Sequence, residues 1–387
     1  MAVKLGNGNW AVKEDKLLAY NDNSGRFFNK EFDFARGSSA TYVAKDGLIK
    51  SAASDVPRID FSDSTNGALL LEGQSTNLFI YSNDFSQSAW FRSGWTLTSG
   101  LLAPNGSLDA YSVLRTTGSN FAQSKTLLSN TTYTFSAYIK NVNATKIQLR
   151  VQNQVGNTSG TESNCIVFSV TDQTNDSDFT RITHTFNTGD AGTYGLFLGY
   201  YSVGEYIVWG AQLEQKSYAT SYIPTSGSAV TRVAENAYKR SVTQAIGQSE
   251  GTMYIEFVPK DISTFQVLYQ IRSSSGTVGQ VDIRLQNGFI NAIANDGGSN
   301  QFNMSGISYS AGTIYKVAVR YKLNDSKIYI NGSSVGTDTS CSFTVSSLDQ
   351  VSFAENIGSL KPIADISDAR LYSTALTDEQ LVALTTI

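Results

Sequence analysis

The stretch between residues 109 and 213 constrains the fold most. Strand-like pieces recur there at short intervals, over 109–115, 132–140, 146–152, 165–170, 180–186, 195–201 and 206–213. Turn-forming residues separate them: Pro104-Asn105-Gly106, Asn141 to Asn143, Gly156-Asn157, Asn175-Asp176 and Asn187 to Gly189. In TYTFSAYIK, Tyr133, Phe135, Ala137 and Ile139 fall on one side of a strand, and Thr134, Ser136, Tyr138 and Lys140 on the other. That alternation suits an antiparallel sheet with one buried and one wetter face. Short strands at this spacing predict a β-sandwich of jelly-roll type.

Composition points the same way. The chain carries 20 Tyr and 20 Phe against 5 Pro, the balance of an ordered all-β protein. At 387 residues it is long enough for two or three domains. Its 29 basic and 33 acidic residues nearly cancel, which argues against nucleic acid and against an anionic membrane as partners. No window approaches the roughly 18 apolar residues of a membrane span. The opening MAVKLGNGNW lacks the apolar core of a signal peptide. Release inside an assembled particle or by lysis is the expected route out of a cell. Cys165 and Cys341 fall in different expected domains and form no C-x-x-C pair. They read as free, buried thiols rather than a disulfide or a zinc site.

The rest of the chain is also written in short pieces. WAVKEDKLLAY reads equally as a short helix or as a strand, and Asn21-Asp22-Asn23-Ser24-Gly25 breaks the chain after it. Asp46-Gly47 marks a turn, Pro57 a strand start or edge, and Ala68 to Leu71 a run apolar enough for burial on both faces. Residues 226–244 read as a polar linker. In GTMYIEFVP, Met253, Ile255 and Phe257 alternate with polar partners. Asn287-Gly288 predicts a hairpin, and Asn324-Asp325 and Asn331-Gly332 predict further turns. The chain closes with a helix whose cap is Thr377 and whose capping box is completed by Gln380. Leu381, Val382 and Leu384 are its expected apolar side.

Several phrases resemble known families. ARGSSATYVAKDGLI, then PRIDF, then GALLLEGQSTNLFIYSNDFS and Trp90 occur in an order that resembles a segment repeated across bacteriophage tail fibres, tailspikes and other virion appendages. TYTFSAYIK followed by YIVWGAQLEQKSYATSYIPTSGSAVTRVAE is similar to the carbohydrate-binding-module-like sandwich of many phage proteins. The region 245–387, with its closing strand over 366–372 and terminal helix, resembles a laminin-G or concanavalin A-like sandwich. These resemblances imply an all-β chain of two consecutive antiparallel jelly-roll sandwiches, an N-terminal extended connector and one short C-terminal helix. The implied boundaries are an attachment region at 1–77, a first sandwich at 78–225, a linker at 226–244 and a second sandwich at 245–387. Leu69 to Leu71 are then expected in the core of the first sandwich.

The resemblance also implies a function. It points to a structural subunit of a phage virion appendage, a tail fibre or tail-associated receptor-binding protein, assembled in the host bacterial cytoplasm. The expected partners are other virion proteins, sister copies in a homotrimer, and host surface glycans. The alternatives are a purely architectural capsid decoration, head fibre or collar protein without a ligand, and a glycan depolymerase.

Candidate site residues follow from chemistry. A flat aromatic ring offers an apolar platform to the C–H face of a sugar. Trp90, Phe91 and Trp95 in SAWFRSGW, with Tyr200 and Tyr201, are the glycan-binding candidates. Core packing competes with that role, because large aromatics are mostly buried. Trp209 shares its alternation with Ile207 and Leu213 and is expected in the core. His184, the single histidine, lies between Ile182 and Phe186 on its strand face and reads as a packed strand residue rather than a base or ligand. Asp172, Asn175, Asp176 and Asp178 offer oxygen ligands for a structural calcium, the one cofactor in view, although their spacing is not that of an EF-hand. The same loop reads as solvated surface rather than as a glycosidase carboxylate pair. Asp282 and Arg284 are expected to pair with each other. No catalytic residue is assigned.

Overall fold

The computed structural model describes residues 3–6, 10–13, 16–21, 28–115, 121–144, 146–153, 165–169, 178–199, 204–262, 265–275, 279–296, 299–342, 347–353 and 362–387. Side chains are described from residue 32 onward, except at 146 and 165–169. The chain divides into two compact units. One combines Met1–Gly47, Ser51–Gln74 and Val233–Ile387; the other combines Leu48–Lys50 and Ser75–Arg232. Among the described residues the architecture is antiparallel sheets with one α-helix, Asp378–Thr385.

In the unit built on 75–232, two five-stranded sheets enclose one core. The first runs in the order Phe91–Arg92, Phe121–Leu127, Gly192–Leu198, Lys146–Asn153, Cys165–Ser169; the second runs Trp95–Leu101, Ala110–Arg115, Glu205–Glu214, Thr132–Asn141, Thr180–Asn187. The alternation of TYTFSAYIK is realised as expected: Tyr133, Phe135, Ala137 and Ile139 all join the core. His184 is buried on its strand as register partner of Phe135, with its ring 5.6 Å from Phe186.

Trp209 is buried as expected, but on the other face of its strand. It packs against Tyr222 at 4.4 Å and Tyr138 at 5.5 Å, on the side of the sheet away from the main core. The cause is a bulge. Gly210 adopts φ +63°, and the register slips there so that Ser136 faces Gln212 while Tyr138 faces Trp209. One extra residue turns Ala211 and Leu213 inward and leaves Trp209 outward.

The other unit carries the larger sheets. An eight-stranded sheet runs Ser333–Asp338, Ser326–Ile330, Tyr315–Lys322, Glu250–Pro259, Ala364–Tyr372, Ala68–Leu71, Ile59–Asp60, with Val3–Gly6 also paired to Ala364–Tyr372. A nine-stranded sheet runs Trp10–Lys13, Lys16–Asn21, Phe28–Ala35, Asn236–Lys239, Gln350–Ser352, Gln266–Arg272, Gln280–Gln286, Phe289–Asp296, Ser299–Ser308. WAVKEDKLLAY is thus resolved as two strands. Asn287-Gly288 and Asn331-Gly332 take positive φ at both positions, the geometry their hairpins require. Asp282 pairs with Arg284 at 2.9 Å, and Cys341 is a buried free thiol. Cys165 lies where only the backbone is described. The helix has its capping box at Thr377 and Gln380; Leu381 is buried, whereas Val382, expected on the apolar side, is exposed.

Two expected boundaries are corrected. The 1–77 segment is not a separate connector, and 226–244 is not a free linker. Leu69 and Leu71 sit in one core with Ile255, Ile283 and Val317, not in the core of the unit that holds Trp90. Val230–Arg232 pairs with Ser75–Asn77, and Asn236–Lys239 pairs with both Phe28–Ala35 and Gln350–Ser352. A fully buried charge network accounts for the second pairing. Glu235 accepts from Arg36 Nη1 at 2.7 Å, from Arg58 Nε at 2.8 Å and from the Glu72 amide at 2.9 Å. Glu72 also meets Arg58 Nη2 at 2.9 Å. Buried charges persist only when paired and hydrogen-bonded, so these four residues oblige their segments to fold together.

The neighbouring motif is explained the same way. Asn77, buried, donates to the carbonyls of Ala211 and Ile223 and accepts from the amides of Phe79 and Leu213. Glu214 accepts from Ser75 Oγ at 2.6 Å and from the Thr220 amide at 3.0 Å. Ser75 and Asn77 of GQSTNLF are thus tied to Glu214 and to the backbone of Ala211 and Leu213 in GAQLEQKSYAT.

Candidate functional site

Strand alternation in GTMYIEFVP sends Met253, Ile255 and Phe257 into the core and Tyr254 and Glu256 to the outer face. On the neighbouring strand Ala364–Tyr372, a bulge at Ser367 resets the register, so that Asp368 faces Glu256 and Arg370 faces Tyr254. On the other side, Lys316 faces Glu256. The helix Asp378–Thr385 lies over Ala318 and Tyr254 through Leu381 and Leu384, with Leu376 just before it packed on the same cluster. Between helix and strands runs a groove of about 480 Å³, lined by Tyr254, Glu256, Lys316, Arg370, Tyr372 and Gln380 among others. That volume falls within the range of small-ligand sites.

The polar groups in the groove are ordered by one another. Glu256 accepts from Ser367 Oγ at 3.0 Å and from Tyr254 Oη at 3.3 Å, and Lys316 Nζ stands 3.9 Å away. Lys316 also donates to the Thr386 carbonyl at 3.0 Å. Arg370 Nε donates to Asp368 at 3.0 Å, and the guanidinium lies 5.2 Å from the centre of the Tyr254 ring. Burial and then the nearby Glu256 and Asp368 charges raise the Tyr254 phenol above its usual range, so it stays a neutral donor. Burial opposes the Arg370 charge, but Asp368 outweighs it and holds the guanidinium above its usual range. The side chains of Glu256, Lys316 and Arg370 remain 20%, 24% and 25% exposed, so all three reach solvent. Asp368 is fully buried beneath Arg370. The groove combines a carboxylate acceptor, two cationic donors, phenol hydroxyls and the half-buried Tyr372 ring. This set can grip a hydroxyl-rich ligand.

The aromatics singled out from the sequence scatter. Trp90 is a core residue, with Phe85 at 5.0 Å and Phe79 at 5.1 Å, and its Nε1 donates to the Tyr81 carbonyl. Trp95 is half-buried against Phe121 and Tyr206. Phe91 alone of the three is exposed, at 60%. It begins a row across its sheet in which Ala122, Phe197 and Arg150 are successive register partners. Tyr200 and Tyr201 lie outside the described residues, as do Asp172, Asn175 and Asp176; Asp178 is exposed. Among the described residues, no group of His, Cys, Asp and Glu is arranged to hold a metal ion. The sequence reading missed Tyr254, Glu256 and Arg370. The alternation of Met253, Ile255 and Phe257 with polar partners names Tyr254 and Glu256 as the residues of the opposite face, so the signal was present.

No protein-family model and no curated protein matches the chain. Solved structures do show similarity. The CBM40 module of a Ruminococcus gnavus IT-sialidase bound to α2,3-sialyllactose is 16% identical, with a TM-score of 0.32, over 36% of this chain and 84% of that one. Domain 4 of a GH43 extracellular arabinanase from Geobacillus stearothermophilus, in complex with arabinotriose, is 16% identical with a TM-score of 0.32, over 44% and 81%. The botulinum neurotoxin type G receptor-binding domain is 12% identical with a TM-score of 0.31, over 39% of each chain.

Proposed function

We propose that this chain is a structural subunit of a bacteriophage virion appendage, a tail fibre or tail-associated receptor-binding protein, that contacts host surface glycans through its lectin-like sandwiches. The observation that carries the glycan contact is the groove beside the C-terminal helix, where Glu256, Lys316 and Arg370 reach solvent next to Tyr372. Support for the virion setting comes from the sequence. The phage-like phrases supply Arg36, Arg58, Glu72 and Glu235, all four members of the buried network, so the resemblance rests on residues with structural work. Its partners in this reading are other virion proteins and sister copies in a homotrimer. Repetition of weak sites on one particle raises millimolar single-site affinity through avidity.

Binding rather than hydrolysis is the proposed activity. Glu256 and Asp368 are register partners, but Asp368 is buried and held by Arg370, which leaves Glu256 as the member of that pair facing a ligand. A glycan array probed with the intact chain tests the reading. Reproducible, saturable binding is expected, and an array without it would refute the glycan contact. Antibody labelling of virions in the electron microscope tests the location, with label on tail or fibres expected and unlabelled particles contradicting it. A purely architectural role is the second reading. What favours it is the depth of Trp90, which removes that ring from solvent-facing recognition.

A further inference from the structure

The geometry of the groove points to its ligand class: a neutral, hydroxyl-rich sugar rather than an anionic one. This inference rests on the glycan-contact reading above and deepens it. The charges decide it. Lys316 and Arg370 bring two positive charges, and Glu256 and Asp368 bring two negative ones, each cation already set against its own carboxylate. An incoming carboxylate or sulfate would meet Arg370 with Nε and Nη2 already committed to Asp368, and the negative charges of the buried Asp368 and of Glu256 beside it would oppose its approach. Lys316 offers little more, because it is divided between Glu256 and the Thr386 carbonyl.

A sugar hydroxyl meets no such conflict. It donates to Glu256, whose carboxylate is fixed by Ser367 and Tyr254, and accepts from Lys316 or Arg370 without displacing either ion pair. Vicinal hydroxyls match neighbouring acceptor and donor groups of this kind. The exposed part of the Tyr372 ring supplies an apolar surface for the C–H face. Glu256 is therefore the acceptor on which binding turns.

Ligand-observed NMR titration of the intact chain tests the proposal. The neutral probes are the methyl glycosides of glucose, galactose and rhamnose with N-acetylglucosamine; the anionic probes are glucuronate and N-acetylneuraminate. At least one neutral probe is expected to bind saturably, with affinity lowered about tenfold by Glu256→Gln, the usual loss for one charge-assisted hydrogen bond. Tyr372→Ala is expected to weaken the same probe, and neither anionic probe to compete. Glu256→Gln keeps the side-chain shape at a solvent-reaching site, so an unchanged circular dichroism spectrum and melting curve accompany the loss. Tighter binding of an anionic probe, abolished by Lys316→Met, would overturn the neutral class and leave glycan contact standing. Saturable binding indifferent to Glu256→Gln and Tyr372→Ala would place the site elsewhere and overturn the inference alone. An absence of saturable binding by every probe, together with a blank glycan array, would overturn both.

Discussion

Removing Glu235 should cost this protein more than any comparable change at its surface. The carboxylate accepts from Arg36 Nη1 at 2.7 Å, Arg58 Nε at 2.8 Å and the Glu72 amide at 2.9 Å, and neither it nor the two arginine side chains is exposed. Glu235→Ala removes the carboxylate that both buried guanidinium groups face and leaves Arg58 with Glu72. Breaking a buried pair from one side typically costs about 3–5 kcal/mol. A domain has about 5–15 kcal/mol in total, so the loss should be a large fraction of stability. Urea unfolding of the intact chain gives the magnitude, and hydrogen exchange by mass spectrometry gives the place. Protection should fall in Ile59–Asp60, Ala68–Leu71 and Asn236–Lys239, the strands the network ties together. Glu235→Gln, which keeps the shape and removes the charge, should share most of the effect. Glu250→Ala breaks the exposed pair with Lys322 and should cost at most about 1 kcal/mol. If both Glu235 variants unfold within about 1 kcal/mol of the parent and protection in these strands is unchanged, the network does not hold the segments and the reasoning fails.

Three further outcomes are expected. Asn77→Ala orphans two buried carbonyls and two amides at once, and should lower stability by about 2–4 kcal/mol in the same urea experiment. Burial pushes the Asp365 carboxyl up to about 7 from its usual 3.8, against the pull of Lys260 at 2.6 Å and with Asp60 adding to the rise. A raised folded value means that the contribution is complete below about pH 4, declines by roughly 1.4 kcal/mol per pH unit, and is gone above about 7. The stability of Asp365→Asn relative to the parent should therefore climb between pH 4 and 7 and level off beyond; a flat difference would contradict the assignment. Thr377→Ala removes the half of the capping box that the Thr377 hydroxyl makes, leaving its backbone N–H on Gln380, and should cost about 1 kcal/mol, read as faster exchange in Asp378–Thr385.

What was legible in the sequence was local. Asn287-Gly288 and Asn331-Gly332 announce their hairpins because few other residue pairs tolerate two positive φ values in succession. Thr377 and Gln380 announce a cap because both bonds span three residues. What was not legible was the partner of each segment. Leu69 and Leu71 are plainly core residues, but nothing in four consecutive apolar letters says which sheet they join, and 163 residues separate Glu72 from the Glu235 that settles it. The burial of Trp209 was legible but its face was not, for a different reason. Period-two reading carried straight through Gly210, where an inserted residue reverses the faces. The groove was half legible. Alternation places Tyr254 and Glu256 outward, but the bulge at Ser367 that brings Asp368 and Arg370 opposite them leaves no mark in ADISDARLY.

A crystal of the intact chain soaked with the neutral sugar that binds most tightly tests the central claim most directly. The account predicts electron density for the sugar in the groove, with a hydroxyl within hydrogen-bond distance of Glu256 and a C–H face toward Tyr372. An empty groove at saturating sugar, with density elsewhere on the molecule, would contradict it.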